Sequence, residues 1–151
     1  MHRIIIGLLV LNMVGILSAQ EGIDEEAIKT LINESYKALI ARDGAKYLDT
    51  WAHRDPATRI AISESGINEI LGWEKIKKGY EEFFEGNPEP GDTVFEYRDF
   101  TIVIHDDLAF AAFDKFVKAD DEMKKQSREF RLLVKEDGRW KILSMMYVSQ
   151  D

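Results

Sequence analysis

The 151-residue sequence contains no cysteine. This absence excludes a disulfide framework, a thiolate nucleophile and thiolate metal ligands. The sequence also lacks an excess of basic residues, because 20 Lys and Arg stand against 28 Asp and Glu, giving a formal charge of −8. Nucleic acid and anionic membrane surfaces are bound through basic patches. We therefore expect neither of them as a partner.

Common catalytic signatures are missing as well. The sequence has no Gly-x-Ser-x-Gly elbow, no phosphate-binding glycine loop, no Gly-x-Gly-x-x-Gly and no paired-histidine metal motif. After the first segment only His53 and His105 remain. His105 adjoins Asp106 and Asp107 in a predicted hairpin turn, where a solvated side chain is favoured over a metal ligand. We expect no metal and no cofactor.

The N-terminus has the layout of a secretory signal peptide. A short basic start, His2-Arg3, precedes a mostly apolar run over 4–17 and a small-residue end at Ala19. A membrane span needs about 20 apolar residues, so this run is short for one, although an uncleaved anchor is the alternative. No cysteine follows the run, which excludes a lipid-modified lipoprotein. The prediction is a signal peptide over 1–19 and an exported (periplasmic or secreted) soluble protein that leaves the membrane after cleavage.

The remaining chain is long and apolar enough for one domain with a hydrophobic core. Asp24 is placed to cap a first helix, whose apolar residues recur at a spacing of about 3.6. Asp43 is placed to cap a second, shorter helix with Tyr47 and Trp51 on its inward face. Gly72 precedes a third helix. The sequence therefore predicts three helices in a single domain over 24–149.

Six segments are predicted as strands. Two are short and precede the third helix, and four are long and follow the breaker cluster 86–91; together they are 59–63, 67–71, 93–104, 108–118, 124–135 and 139–149. The Asp-Gly turn between the last two is a strong hairpin signal. Alternation changes phase within the first two long strands, which predicts β-bulges that bend the sheet. The fold class is α+β, with a curved antiparallel meander at the C-terminal end.

Three local patterns, in this order, resemble the nuclear transport factor 2-like superfamily, specifically its SnoaL-like branch. They are Ala38-Leu-Ile-Ala-Arg-Asp43 with Tyr47-Leu-Asp-Thr-Trp51 and Asp55, then Gly72-Trp-Glu-Lys-Ile76, and finally Asp137-Gly-Arg-Trp-Lys-Ile142 through Ser149. The resemblance implies a cone-shaped fold, in which a curved antiparallel sheet of about six strands packs on three helices around a pocket. Its members include isomerase-like, dehydratase-like and cyclase enzymes and a kinase association domain. The fold therefore implies a pocket but no particular chemistry.

The sequence departs from that family pattern on the last two strands. Many relatives carry histidines on the closing strand, where this chain has Ser144, Met145 and Met146. The preceding strand has Arg128-Glu-Phe130, and the neighbouring charged residues Glu129 and Arg131 suggest an ordinary charged sheet face. If the departing positions point inward, the pocket is more apolar and less ionisable than in those relatives.

Asp114 is the carboxylate of most interest, because it interrupts an apolar strand. Facing the pocket, its pKa would rise by desolvation and suit proton transfer. Facing outward, it would be a solvated surface carboxylate. Arg128 is placed to pair with it or to bind a substrate carboxylate.

His53 and Tyr36 are the other catalytic candidates. His53 follows the second helix, and Asp49, four residues earlier, is placed to hold one ring nitrogen while the other acts as a base. The alternative is a half-exposed histidine at a helix end. The hydroxyl of Tyr36 would donate to a carbonyl oxygen in the pocket, unless Tyr36 is a core residue with its tip in water.

Three functions follow from these observations. The first is binding of a small, largely apolar molecule in the pocket; the candidate ligand-binding residues are Tyr36, Trp51, His53, Asp114, Arg128 and Met146. The second is a cofactor-free isomerase, dehydratase or cyclase, in which Asp114 or His53 is the base and Tyr36 polarises a carbonyl. The third is self-association as a homodimer through the outer face of the sheet.

Overall fold

The computed structural model describes the backbone of residues 5–150 and the side chains of residues 22–150. Its elements are α1 (Ile5–Ile40), α2 (Gly44–Asp49), β1 (Thr58–Ser63), β2 (Gly66–Leu71), α3 (Trp73–Gly86), β3 (Phe95–His105), β4 (Leu108–Ala119), β5 (Glu122–Glu136) and β6 (Arg139–Ser149). The predicted signal peptide over 1–19 lies outside the residues that are described in full. Within the described part, no helix combines the length and apolar character needed to cross a membrane.

The strands form one sheet in the order β2-β1-β6-β5-β4-β3. The α+β fold with six strands and three helices confirms the predicted fold class. The sheet is mixed rather than purely antiparallel, because β1 runs parallel to β6 while the other neighbours are antiparallel. The hairpin signals could not reveal this pair, since they specify only strands that are adjacent in the chain. The central position of β6 agrees with the large apolar residues on both its faces.

Three register shifts bend the sheet. One lies in β3 between Arg98 and Thr101, one in β5 at Gln126, and one in β6 at Leu143. The first confirms the bulge predicted in β3 from its phase change. The bulge predicted in β4 is wrong, because Phe116 breaks the apolar alternation on the outer face, where the guanidinium of Arg98 lies 4.3 Å from its ring centroid. Bulges increase the local twist and bend a strand, so the sheet curves over the helices.

The helices pack on the inner face of this sheet. Ile28 and Ile32 of α1 belong to a buried cluster with Phe113 and Leu133 of the sheet. A second cluster joins α2 and α3 to the centre of the sheet through Tyr47, Trp51, Trp73, Ile76, Ile142 and Met145. The inner face of the sheet therefore carries the core, and the opposite face of the sheet is the outer face of the domain.

Asp24 has a different role from the predicted helix cap. Helix α1 runs through it, because the helical backbone continues from the preceding segment. Its carboxylate is buried and accepts hydrogen bonds from Lys135 Nζ at 2.7 Å and Trp140 Nε1 at 2.9 Å. The predicted cap is wrong, and Asp24 instead ties α1 to the closing hairpin.

The starts of α2 and α3 are as predicted. Asp43 Oδ1 accepts a hydrogen bond from the backbone N–H of Lys46 at 3.0 Å, as an N-cap does. Gly72 has φ +94° immediately before α3, a conformation that favours glycine. The N-terminus of α3 is capped by a residue from outside the helix, because Asp55 Oδ1 accepts a hydrogen bond from the N–H of Trp73 at 2.8 Å.

Candidate functional site

A cavity of about 740 Å³ lies between α1, α3 and the inner face of the sheet. Small-molecule pockets in proteins commonly measure about 300–1,000 Å³. One side of the lining is apolar and includes Leu39, Ile70, Ile76, Phe83 and Met145. The space is therefore of ligand size and has an apolar wall.

The other wall is polar and comes from adjacent strands. Side chains at every second position of a strand share a face, so Ser127, Glu129 and Arg131 of β5 all point inward. Lys115 of β4 lies directly opposite Ser127 in the sheet register. These four side chains belong to residues exposed by 3–7%. We call Lys115, Ser127, Glu129 and Arg131 the polar wall.

Glu129 is fully engaged within the polar wall. Arg131 Nη2 donates to its Oε2 at 2.5 Å, and Ser127 Oγ donates to its Oε1 at 3.0 Å. The guanidinium of Arg131 also lies 5.3 Å from the centroid of the Phe113 ring. Breaking a buried pair of this kind leaves an uncompensated charge. The pair therefore positions Arg131 firmly.

Lys115 differs from its neighbours because it has no carboxylate partner and no hydrogen-bond acceptor among the described residues. Its Nζ lies 3.8 Å from the centroid of the Tyr36 ring, a cation–π distance. Burial lowers the pKa of Lys115 from 10.5 to about 8. The negative charge of Glu129 acts to raise this pKa, and the positive charge of Arg131 acts to lower it further. The cavity is thus lined by a buried lysine whose charge changes near pH 8.

Two tyrosines, Tyr36 and Tyr97, are neighbours of Lys115. Burial raises the pKa of Tyr36 to about 12, and the negative charge of Glu129 acts in the same direction. Burial also raises the pKa of Tyr97, which lies opposite Lys115 on β3, well above its ordinary value. Both phenols therefore remain neutral hydrogen-bond donors at physiological pH.

The far wall adds a further cation. Arg59 of β1 donates from Nη2 to the Tyr147 hydroxyl at 2.7 Å. The charged residues of the lining are thus Arg59, Lys115 and Arg131 against the single carboxylate of Glu129. The cavity is electropositive inside a chain of net charge −8.

Of the six predicted ligand-binding residues, Tyr36 lines this cavity. Trp51 is 0% exposed and belongs to the core. Met146 lies on the outer face, whereas Met145 lines the cavity. The register shift between Leu132 and Leu133 explains this difference, because the extra residue in β6 changes which positions point inward.

Asp114 and Arg128 also lie on the outer face. Arg128 Nη1 is 2.8 Å from Asp114 Oδ1, and Lys125 Nζ is 2.6 Å from Oδ2. Burial acts to raise the pKa of Asp114, but the bonds from Lys125 and Arg128 outweigh it and lower the pKa. The predicted pairing of Asp114 with Arg128 is confirmed, and the carboxylate is ionised and away from the cavity.

His53 lies at a separate, shallow hollow near the start of α3. Its ring stacks on Trp73 at 4.3 Å, and its Nε2 is 2.9 Å from the carbonyl oxygen of Leu48. Asp49 contacts Lys141 at 3.0 Å instead. The prediction that Asp49 holds His53 as a base is therefore wrong, because the cation of Lys141 is the partner that the sheet presents to Asp49.

His105 is solvated, as predicted, with a side chain that is 88% exposed beside Asp106. Among the described residues, no group of three or more histidine, cysteine or acidic side chains is placed to hold a metal ion.

The sequence reasoning missed Lys115, Glu129 and Arg131 as cavity residues. The expectation of a less ionisable pocket depended on the departing positions pointing inward, and of these only Met145 and Glu129 line the cavity. Its charged residues come from β1, β4 and β5 rather than from the closing strand. A signal was present: Glu129 and Arg131 are in phase with Leu133, which is fully buried. Because alternate residues of a strand face the same side, the burial of Leu133 places Arg131 and Glu129 on the inner face as well.

The fold is shared with several solved structures. A nuclear transport factor 2-like protein of unknown function from Pseudomonas putida has 19% identity and a TM-score of 0.64, with 85% of this chain and 88% of that chain covered. One from Shewanella oneidensis has 16% identity and a TM-score of 0.60 over 83% and 98%. A protein of unknown function with a cystatin-like fold from Nostoc punctiforme has 16% identity and a TM-score of 0.63 over 85% and 92%.

Identities this low show the fold alone. A comparison with curated protein sequences found no match. The model of the SnoaL-like domain, however, matches residues 28–147, which is most of the chain and includes α2, α3 and almost the whole sheet. The chain therefore belongs to the SnoaL-like domain family and has the nuclear transport factor 2-like fold.

Proposed function

We propose that this domain binds a small molecule in the cavity, with an apolar body against α1 and α3 and a polar end at the polar wall. The observation that carries the proposal is a space of about 740 Å³ with a buried lysine on its wall, for which the described residues provide no hydrogen-bond acceptor. The methionines of β6 suggested a largely apolar ligand. The polar wall indicates that the ligand also has a polar end.

Stability alone gives no reason for such an arrangement. Protein interiors are close-packed, and unfilled space within them is destabilising. Desolvation of the Lys115 ammonium adds a further cost, which lowers the pKa of this lysine to about 8. A ligand that fills the space and accepts a hydrogen bond from Lys115 relieves both costs.

The direct test is native mass spectrometry of protein purified from its own host, followed by identification of any molecule released on denaturation. We expect a bound small molecule. Gly79→Phe should abolish this binding while the fold is kept, because Gly79 lines the cavity and a Cβ there meets nothing within 4 Å.

The matched control is Gly86→Phe. It introduces the same side chain in the same helix, at a position where a Cβ also meets nothing within 4 Å and which does not line the cavity. Circular dichroism would establish that both variants fold. A wild-type protein that never carries a molecule, from its host or after incubation with a host extract, would contradict the proposal.

No observation favours the cofactor-free enzyme with Asp114 or His53 as base. Such a base must come within hydrogen-bonding reach of the substrate that Tyr36 contacts. Asp114 lies on the outer face in two ion pairs, and His53 lies at a different hollow. Tyr36 alone of the three lines the cavity.

Self-association is a second candidate, and the outer face of the sheet favours it. Val103, Phe110 and Leu132 are direct neighbours across β3, β4 and β5 and are 60%, 43% and 41% exposed. Phe130 and Met146 form the next row. Exposed apolar patches of this kind commonly mark interaction surfaces. We propose a homodimer through this outer apolar patch (Val103, Phe110, Phe130, Leu132 and Met146).

Export remains part of the proposal and is supported by the sequence of residues 1–19. The intact mass of the protein recovered outside the cytoplasm would test it. We expect a mass that corresponds to a chain starting at Gln20. A full-length mass in the membrane fraction would indicate a retained anchor instead.

A further inference from the structure

We propose that the cavity ligand is a monocarboxylic acid with an apolar body, whose carboxylate pairs with Lys115. This inference rests on the proposed function and names the ligand class for the same cavity.

Lys115 contrasts with the other sheet lysines that are mostly buried. Lys125, Lys135 and Lys141 each contact an aspartate, at 2.6, 2.7 and 3.0 Å. Lys115 is only 7% exposed, yet among the described residues its ammonium contacts the Tyr36 ring and no carboxylate. Buried charges in proteins are normally paired. The described residues thus leave Lys115 without an anionic partner, and a bound carboxylate would supply one.

The polar wall cannot supply this anion. Both oxygens of Glu129 already accept hydrogen bonds, one from Arg131 and one from Ser127. The described lining has three cationic side chains and one carboxylate. This excess of positive charge stands in a chain of net charge −8. The cavity therefore selects an anion over a cation.

The engaged guanidinium groups limit the kind of anion. Phosphates are commonly recognised by a free guanidinium fork. The fork of Arg131 is engaged with Glu129, and the Nη atoms of Arg59 donate to Tyr147 and Asn68. Lys115 offers one ammonium, which matches a single carboxylate. Leu39, Ile76 and Met145 supply an apolar surface for the rest of the molecule. The geometry thus fits one anionic end on an apolar body.

The pH dependence follows from the groups that face Lys115. These are Tyr36 from α1, Tyr97 from β3, and Glu129 and Arg131 from β5, with Arg59, Tyr80 and Tyr147 on the far wall. The pKa values of Tyr36 and Tyr97 are raised, and Glu129 and Arg131 compensate each other. Lys115, with its pKa near 8, is therefore the group whose charge changes between pH 7 and 9.5. Carboxylate affinity should fall over that range.

The experiment is calorimetric titration of delipidated full-length protein with matched acids and alcohols: decanoate with decanol, and 2-naphthoate with 2-naphthylmethanol. We expect the acid to bind more tightly than its alcohol at pH 7. Lys115→Met should weaken acid binding about ten- to a hundredfold, the range expected for a charge-assisted hydrogen bond, and leave alcohol binding unchanged or improved. Lys115→Arg should restore the preference for the acid.

Lys118→Met is the matched control, because Lys118 lies on the same strand with a side chain that is 46% exposed. It should behave as the wild type. Equal binding of acid and alcohol, or an acid preference that survives Lys115→Met, would overturn the inference while the proposed function stands. Loss of the preference in Arg59→Met but not in Lys115→Met would also overturn it. If neither acids nor alcohols bind and no molecule co-purifies, the proposed function itself fails.

Discussion

At the scale of single residues, Lys115 holds its position against a free-energy cost. Its pKa is lowered from 10.5 to about 8 because the charged form is desolvated. A difference of that size between folded and unfolded states corresponds to about 3 kcal/mol at neutral pH. A residue retained at such a cost is more readily explained by binding than by stability.

The first prediction concerns the stability of Lys115→Met. The variant should be more stable than wild type at pH 7, by about 2–3 kcal/mol. Between pH 8 and 10.5 the unfolded chain keeps the proton that folded Lys115 has released, so raising the pH stabilises the wild type but not the variant. Urea unfolding from pH 7 to 9.5 should show the gap closing. A gap that stays constant, or a variant less stable than wild type at pH 7, would contradict the lowered pKa.

The second prediction concerns Glu129→Gln. Removing this carboxylate leaves Arg131 and Lys115 as two buried cations without compensation, and should destabilise the protein by about 3–5 kcal/mol. The double variant Glu129→Gln with Arg131→Met removes the unpaired guanidinium and should recover part of the loss. Urea unfolding of the single and double variants measures both effects. Equal destabilisation of single and double variants would show that the Glu129–Arg131 pair is not what the mutation disrupts.

At the scale of secondary structure, the start of α3 is stabilised by a hydrogen bond to a residue outside the helix. Asp55 Oδ1 accepts from the N–H of Trp73, at a helix end where Gly72 has no side chain to act as a cap. The helix contributes Ile76, Gly79, Tyr80 and Phe83 to the cavity. Asp55 therefore influences the shape of the cavity without touching it.

The third prediction follows from this bond. Asp55→Ala should cost about 1 kcal/mol, as the loss of a cap does, and should reduce ligand binding by loosening the start of α3. Asp55→Asn keeps an acceptor oxygen and should lose less. Urea unfolding and the near-ultraviolet circular dichroism of Trp73 provide the measurements. An asparagine variant as unstable as the alanine variant would argue against the bond.

The sequence was sufficient for the elements but not for all of their faces. The phase change in β3 revealed its bulge. The phase change in β4 was misleading, because the extra residue at the next register shift is Gln126 of β5. The bulge in β6 left no such trace, since both faces of that strand are apolar, and Met146 was therefore assigned to the wrong side. The parallel pairing of β1 with β6 joins residues about 90 positions apart, for which no local turn signal exists.

At the scale of the whole molecule, the two faces of the sheet have opposite properties. The inner face holds charged residues within a cavity, and the outer face exposes apolar residues to solvent. Each face thus carries groups of the less usual kind beside the ordinary ones, because the inner face also holds the apolar core and the outer face also holds ion pairs such as that of Asp114 with Arg128. Binding inside and association outside are therefore compatible in one domain.

The fourth prediction addresses association. Leu132→Asp should convert a dimer into a monomer, because it places a charge in the middle of the outer apolar patch. Ile67→Asp is the control, since Ile67 is 73% exposed on the edge strand β2, away from that patch. Light scattering coupled to size-exclusion chromatography distinguishes the two states. A wild-type protein that is monomeric at micromolar concentration would end this proposal.

The central position of β6 has a consequence for the time at which the domain forms. The β1–β2 hairpin meets the β3–β4–β5 meander only through β6. The bond between Asp24 and Trp140 likewise joins residues 116 positions apart. Contacts of such long range are slow to form. During synthesis, the β1–β2 hairpin and the β3–β4–β5 meander both leave the ribosome before β6, the strand that joins them. The domain is thus expected to complete its fold only after β6 has left the ribosome.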